Sequence, residues 1–216
     1  MPDAAPDVFD YVIVGSGAAG SVLAARLTED PGTTVCVLEA GPPDYNPYIH
    51  IPAGFIKTLF DDRVTWQFKT APTEWTGGRR IATTQGRTVG GSTSVNGMIY
   101  NRGQPNDQNS WAQRGNRGWG YADCLPYYRR SEARIGFGEE VRRGREGPIP
   151  VTDMDWIHPL SEAFIAGCVG MGIPRNKDYN SGDQAGVGYY QRTIRNGVRV
   201  SAARAFLLPS LARGTI

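Results

Sequence analysis

Two glycine-rich stretches and one acid hold the residues of this chain whose types and spacing could do chemistry. The first stretch is GSGAAG, Gly15 to Gly20, and the acid is Glu39, 19 residues beyond Gly20. The second is GRTVGGSTSVNGMIYNRG, Gly86 to Gly103, which mixes bare backbone with hydroxyl side chains yet also carries Val89, Val95, Met98, Ile99 and Tyr100. In G-x-G-x-x-G spacing, Gly15 permits a tight turn, Gly17 lets a pyrophosphate approach the backbone, and Gly20 lets a helix pack closely on a strand. N–H groups at the helix start, across Ser16, Ala18 and Ala19, then face phosphate oxygens with the helix dipole behind them. Glu39 is placed to accept hydrogen bonds from a ribose 2′-hydroxyl, and its charge repels a 2′-phosphate, which argues against NADP. This chemistry is dinucleotide binding, and the motif leaves FAD and NAD equally open.

Such a motif means something only between a strand and a helix. Phe9 to Val14, FDYVIV, reads as a short strand buried on both faces. AAGSVLAARL has helical composition and stops near Asp30-Pro31-Gly32, and Val35 to Leu38 reads as a second strand that ends in Glu39. The β-α-β context is therefore complete. The second glycine stretch is too apolar for a linker, and each interior glycine costs about 1 kcal/mol in a helix relative to alanine.

The rest of the composition narrows the class. A chain of 216 residues with 40% hydrophobic and 20% charged residues is globular, and no apolar run approaches the length of a membrane span. A net charge of +2 gives no footprint for nucleic acid. The tight group Arg142, Arg143 and Arg145 reads as a solvated loop. Cys36, Cys124 and Cys168 lack metal-type spacing, and an odd number cannot complete a disulfide framework. MPDAAPDVFD has neither the basic start nor the apolar stretch of a signal peptide, so the expected location is cytoplasmic.

VIVGSGAAGSVLAARLTEDPGTTVCVLEAG resembles the N-terminal segment of the glucose-methanol-choline (GMC) family of flavoprotein oxidoreductases, including the Glu39-Ala40-Gly41 after the second strand. GRTVGGSTSVNGMIYNRG is similar to that family's first signature, and the resemblance continues through TWQFKTAP, WGYADCLPYYRRSE and VRVSAARAFLLP. It implies FAD as cofactor and oxidation of alcohols or related CH–OH donors by hydride transfer to flavin N5. It further implies an α/β fold: a Rossmann-like FAD-binding domain with a parallel sheet, into which the start of an α+β substrate domain is inserted. Residues 1–148 would be the first FAD-domain segment, 149–192 the start of the substrate domain, and 193–216 a return to the FAD domain.

Carried over position by position, the resemblance places Gly90 and Gly91, with Gly86, beside pyrophosphate and flavin. Ser92, Thr93 and Ser94 would offer donors, and Asn96, Gly97 and Met98 would set backbone amides against the flavin ring. Arg87 and Val89 belong to the same signature. Trp66 falls where the family has a tryptophan close to the cofactor, with core packing as the alternative. Trp119, Tyr121, Tyr127 and Tyr128 read as helix-anchoring core.

In this family a histidine late in the chain takes the hydroxyl proton. Here His50 and His158 sit in no matching motif, both read as structural or surface residues, and no catalytic base or metal ligand is nominated. The chain is expected to be the first part of a longer flavoenzyme of the choline dehydrogenase type, acting on a small-molecule alcohol and partnered by its own C-terminal portion. The alternatives are a non-catalytic FAD-binding or interaction module that ends naturally at residue 216, and an NAD-linked Rossmann enzyme.

Overall fold

The computed structural model describes residues 8–216, so the first seven residues of the stretch read above for a signal peptide lie outside the described residues. The described chain forms two compact units, one comprising residues up to Gly97 together with Gly197–Ile216, the other Met98–Asn196.

In the first unit, strand β1, Tyr11–Val14, leads through the glycine turn into helix α1, Ala18–Leu27, and back to strand β2, Val35–Leu38. The two strands pair in parallel, Tyr11 against Val35 through Val14 against Leu38. Helix α1 stops where Thr28 turns its hydroxyl back on the Ala24 carbonyl at 2.8 Å. Arg213 then caps the end, donating to the Thr28 hydroxyl at 2.9 Å and to the Ala25 carbonyl at 2.5 Å. The core is small: Ile13, Ala24, Val35, Ala203 and Leu207 form one buried cluster, and Ile49, Val64 and Val95 a second. Ala203–Leu207 is a π-helical turn next to α1, and the Thr215 carbonyl accepts from Val35 N at 2.8 Å.

Two short helices, α2 (Pro47–His50) and α3 (Phe55–Thr58), precede an antiparallel pair, β3 (Thr65–Lys69) and β4 (Ala82–Gly86). Strand β1 corrects one expectation. Only Ile13 is buried, while Tyr11, Val12 and Val14 are 50%, 59% and 84% exposed. The continuous apolar run gave the pattern of a two-sided strand, but among the described residues only β2 pairs with β1, and only the Ile13 face meets the buried cluster.

In the second unit, a four-stranded sheet has the order β5–β8–β7–β6, where β5 is Ile99–Tyr100, β6 Glu132–Ile135, β7 Ile149–Thr152 and β8 Gln191–Arg192. Helices α4 (Pro105–Gln113), α5 (Tyr121–Ser131) and α6 (Pro159–Gly170) accompany it. Because β6 and β7 pair in parallel, the chain on either side of residue 148 belongs to one sheet. Compactness divides the chain at 97/98 and 196/197, while the boundaries at 148/149 and 192/193 are those that the family resemblance implies for the FAD and substrate segments.

A buried ion network reinforces this unit. Arg102 and Arg143 both bond the Glu132 carboxylate, and Arg143 also reaches Asp178 at 2.5 Å. Arg143 is therefore no part of a solvated loop, because its guanidinium is fully buried between two acids. Trp119 and Tyr127 are exposed rather than core residues, while Tyr128 sits under the Arg102 guanidinium and accepts from Gln108 at 3.0 Å. No helix among the described residues is long and apolar enough to cross a membrane.

Candidate functional site

The C-terminal ends of β1 and β2 open into a cleft of about 960 Å³. Its lining is drawn from the first unit alone: the glycine turn and start of α1, the end of β2, Trp66 of β3, and Gly86, Gly91, Ser92 and Thr93 of the second glycine stretch. Ligands of open α/β sheets bind outside the carboxyl ends of the strands, which is this position.

The first turn is built as its spacing requires. Gly15 has φ +91°, and a Cβ on Gly20 would lie 1.9 Å from the Gly15 carbonyl oxygen, so helix and strand touch at a place where no side chain fits. The helix N-cap, Gly17, has no side chain to take the orphan N–H groups of the first turn, and Ala18 and Ala19 are exposed on the cleft wall. Those donors and the positive end of α1 fit an anionic group such as a pyrophosphate.

The second turn is fastened to the first. Gly90 N donates to the Ser16 carbonyl at 3.1 Å and to the Ser16 hydroxyl at 3.3 Å. Gly91, at φ +54°, sits so close that a Cβ would stand 2.8 Å from the Gly17 Cα. The bareness of the second stretch thus serves first the contact between the two turns. A valine at Gly91 would push the turns apart as well as obstruct the cleft, so it could not spare the local fold.

Glu39 lines the cleft in a braced state. Its Oε2 accepts from Ser16 N at 2.8 Å and from the Ser16 hydroxyl at 2.6 Å, and its Oε1 accepts from Gly41 N at 2.9 Å. The carboxylate at the end of β2 therefore orders the glycine turn before any ligand meets it. Lone pairs remain for a further donor, since a carboxylate offers about four acceptor sites.

Of the residues singled out in the sequence, the structure brings Gly15, Gly17, Ala18, Ala19, Gly20, Glu39, Ala40, Trp66, Gly86, Gly91, Ser92 and Thr93 to the cleft. The others serve elsewhere. Ser16 is buried under Glu39, Gly90 is buried behind the turn, and Val89 packs against the first core cluster. Ser94 donates its hydroxyl to the Val89 carbonyl at 2.8 Å. Arg87 donates to the Asp62 carbonyl at 2.8 Å and lies 4.8 Å over the Trp66 ring. Asn96 accepts from Arg199 at 2.8 Å, beside the exposed Gly97. Met98, at φ +62°, belongs to the other compact unit, where its carbonyl accepts from Thr193 N at 2.9 Å.

Trp66 is no core residue: it is 39% exposed, stacked on Phe68 with ring centroids 5.8 Å apart. Val14, Val37 and Leu38 also line the cleft, and sequence reasoning passed over them. Their signal was position, because they are the last residues of strands whose carboxyl ends carry the motif. Both histidines are engaged. His50 Nε2 lies 2.6 Å from the Asp44 carbonyl, and His158 Nδ1 caps α6 by accepting from Leu160 N at 3.1 Å. No group of three or more His, Cys, Asp or Glu side chains able to hold a metal occurs among the described residues.

The family model of the GMC oxidoreductases matches residues 9–216. An oxygen-dependent choline dehydrogenase of Rhizobium rhizogenes is 44% identical over 207 residues, which are 96% of this chain and 38% of that protein. Among solved structures, pyridoxine 4-oxidase from Mesorbium loti superposes with a TM-score of 0.90 at 37% identity, covering 96% of this chain and 41% of the oxidase. An FAD-dependent oxidoreductase from Chaetomium thermophilum gives a TM-score of 0.87 at 30% identity over 96% of this chain and 37% of its own. The chain thus spans about 38% of the length of the curated relative.

Proposed function

The chain belongs to the GMC oxidoreductase family, and from that premise we propose that it is the FAD-binding portion of an enzyme that oxidises a CH–OH group of a small-molecule alcohol. One observation carries the cofactor assignment: two glycine turns, hydrogen-bonded to each other from Gly90 to Ser16, wall a single cleft at the carboxyl ends of two parallel strands. The first turn alone would suit NAD as well as FAD. The second turn has a use where the ligand extends beyond a pyrophosphate to a flavin.

Bound FAD would supply the hydride acceptor of the reaction. The chain's own residues bind and orient it. We assign the pyrophosphate to the N–H groups of Gly17, Ala18 and Ala19 at the start of α1, and the ribose to Glu39. Gly91, Ser92 and Thr93 are assigned to the side of the cleft from which the flavin is approached, with Trp66 as an aromatic wall. Asn96, Gly97 and Met98 remain candidates for the flavin edge. Residues 1–148 and 193–216 are proposed for FAD binding and 149–192 for the start of the substrate domain, with the cleft itself drawn from residues 14–93. The named relatives act on choline and on pyridoxine, and an alcohol of comparable size is the proposed substrate class. The partner is proposed to be further sequence of the same enzyme. Free thiols at Cys36, Cys124 and Cys168 suit a reducing compartment, and we place the protein in the cytoplasm.

A second reading, a module that binds FAD without chemistry, draws support from the engagement of both histidines in structural hydrogen bonds. One experiment addresses both. The chain is titrated with FAD, FMN and NAD by fluorescence, then mixed anaerobically with primary alcohols. FAD is expected to bind more tightly than FMN or NAD, and no alcohol is expected to bleach it in this chain. Equal affinity for FAD and NAD would contradict the cofactor assignment. Rapid bleaching would show that this segment carries its own base.

A further inference from the structure

Four arginines are buried among the described residues: Arg102, Arg134, Arg143 and Arg199. Three of them meet a carboxylate, Arg102 and Arg143 at Glu132 and Arg134 at Asp153. Arg199 does not. It is 1% exposed, and its partners are all neutral: Nε donates to the Ile49 carbonyl at 2.7 Å, and Nη1 to the Thr93 carbonyl at 3.2 Å and to Asn96 Oδ1 at 2.8 Å. Its Nη2 is buried with no hydrogen-bond partner. Burial lowers the pKa of this guanidinium to about 10, and no acid acts against the shift.

A buried charge without a counter-charge is expensive, and an apolar side chain of similar volume at such a place is commonly neutral or stabilising. The retained cation therefore calls for a use, and its neighbours indicate one. Thr93 lines the cleft. The guanidinium grips the carbonyl of Thr93 and the side chain of Asn96 from behind, so the charge lies one residue layer from the cleft wall. In an interior of low dielectric its field is weakly screened.

We propose that Arg199 is a positioning residue for the turn from Gly90 to Asn96 and a fixed positive charge behind it, which favours the more anionic, reduced state of a flavin held in the cleft. The proposal rests on the FAD assignment and goes beyond it, by naming a residue of this chain that sets the redox balance of the cofactor without touching it. The competing role is attraction of the pyrophosphate alone. That would strengthen the binding of oxidised and reduced FAD equally.

The test compares the wild-type chain with Arg199→Met, Arg199→Lys and Arg199→Gln. Affinity for oxidised FAD is read by fluorescence, the two-electron midpoint potential by anaerobic dye equilibration, and folding by circular dichroism. Arg199→Met is expected to lower the ratio of reduced to oxidised affinity about tenfold, or about 30 mV for a two-electron couple. Arg199→Lys keeps the charge but not the planar grip. It is expected to weaken binding of both forms while leaving the ratio within about twofold. Should the methionine variant fail to fold, Arg199→Gln decides, since it removes the charge while keeping an amide donor at the site, and it is expected to move the ratio in the same direction. An unchanged ratio in folded, FAD-loaded variants that lack the charge would overturn the proposal and leave the FAD assignment standing. Failure of the wild-type chain to bind FAD would overturn both.

Discussion

Glu39 shows how much of one side chain is settled before a ligand arrives. Its three donors come from Ser16 and Gly41, so the carboxylate orders the glycine turn in addition to any ribose contact. Replacing it with alanine would leave Ser16 N and the Ser16 hydroxyl, in a residue only 1% exposed, without their acceptor. Glu39→Ala should therefore lower stability by about 1–3 kcal/mol in urea denaturation of the ligand-free chain, and weaken FAD binding separately. A loss of binding with unchanged stability would confine Glu39 to the ribose. At this scale the sequence was legible wherever spacing has one physical reading. Gly15 and Gly20 are glycines for the turn and the close contact that their spacing implied. It was not legible where a partner is distant in sequence: nothing near Arg199 announces Ile49, 150 positions away, and nothing near Arg143 announces Asp178, 35 positions away.

Among the elements, β1 separates what pattern tells from what packing decides. The run FDYVIV reads as a strand buried on both faces for its β-branched and aromatic residues, but alternation in a strand sends neighbours to opposite sides, and only Ile13 meets the core. Ile13→Ala should cost about 2–5 kcal/mol, whereas Val12→Thr, on the exposed side, should stay within about 0.5 kcal/mol. Denaturation of the two variants side by side measures the difference, and equal losses would mean that the Val12 face is covered in the folded chain. Helix α1 and the second strand were readable from composition and punctuation. The strand inside the second glycine stretch was not, because β5 has two residues and its existence depends on β8 some 90 residues further on.

For the molecule as a whole, compactness is set by contacts between residues distant in sequence. The parallel pairing of β6 with β7 and the buried acids that tie Arg102 and Arg143 join residues 98–196 into one body, and neither kind of contact leaves a local trace. Glu132→Gln removes the charge that two buried guanidinium groups share, and should destabilise that unit by about 3–5 kcal/mol. Backbone amide exchange in β6 and β7 would then accelerate. Exchange in those strands at the wild-type rate would show that the network is dispensable. The same technique reads the cofactor site itself: amide exchange of the wild-type chain is followed with and without saturating FAD. Protection is expected at Gly15–Gly20 and at Gly90–Thr93 together, since the ligand must lie against both turns. FAD binding that protects neither turn, or only residues outside the cleft, would contradict the assignment of this chain as a flavin-binding unit built on its two glycine turns.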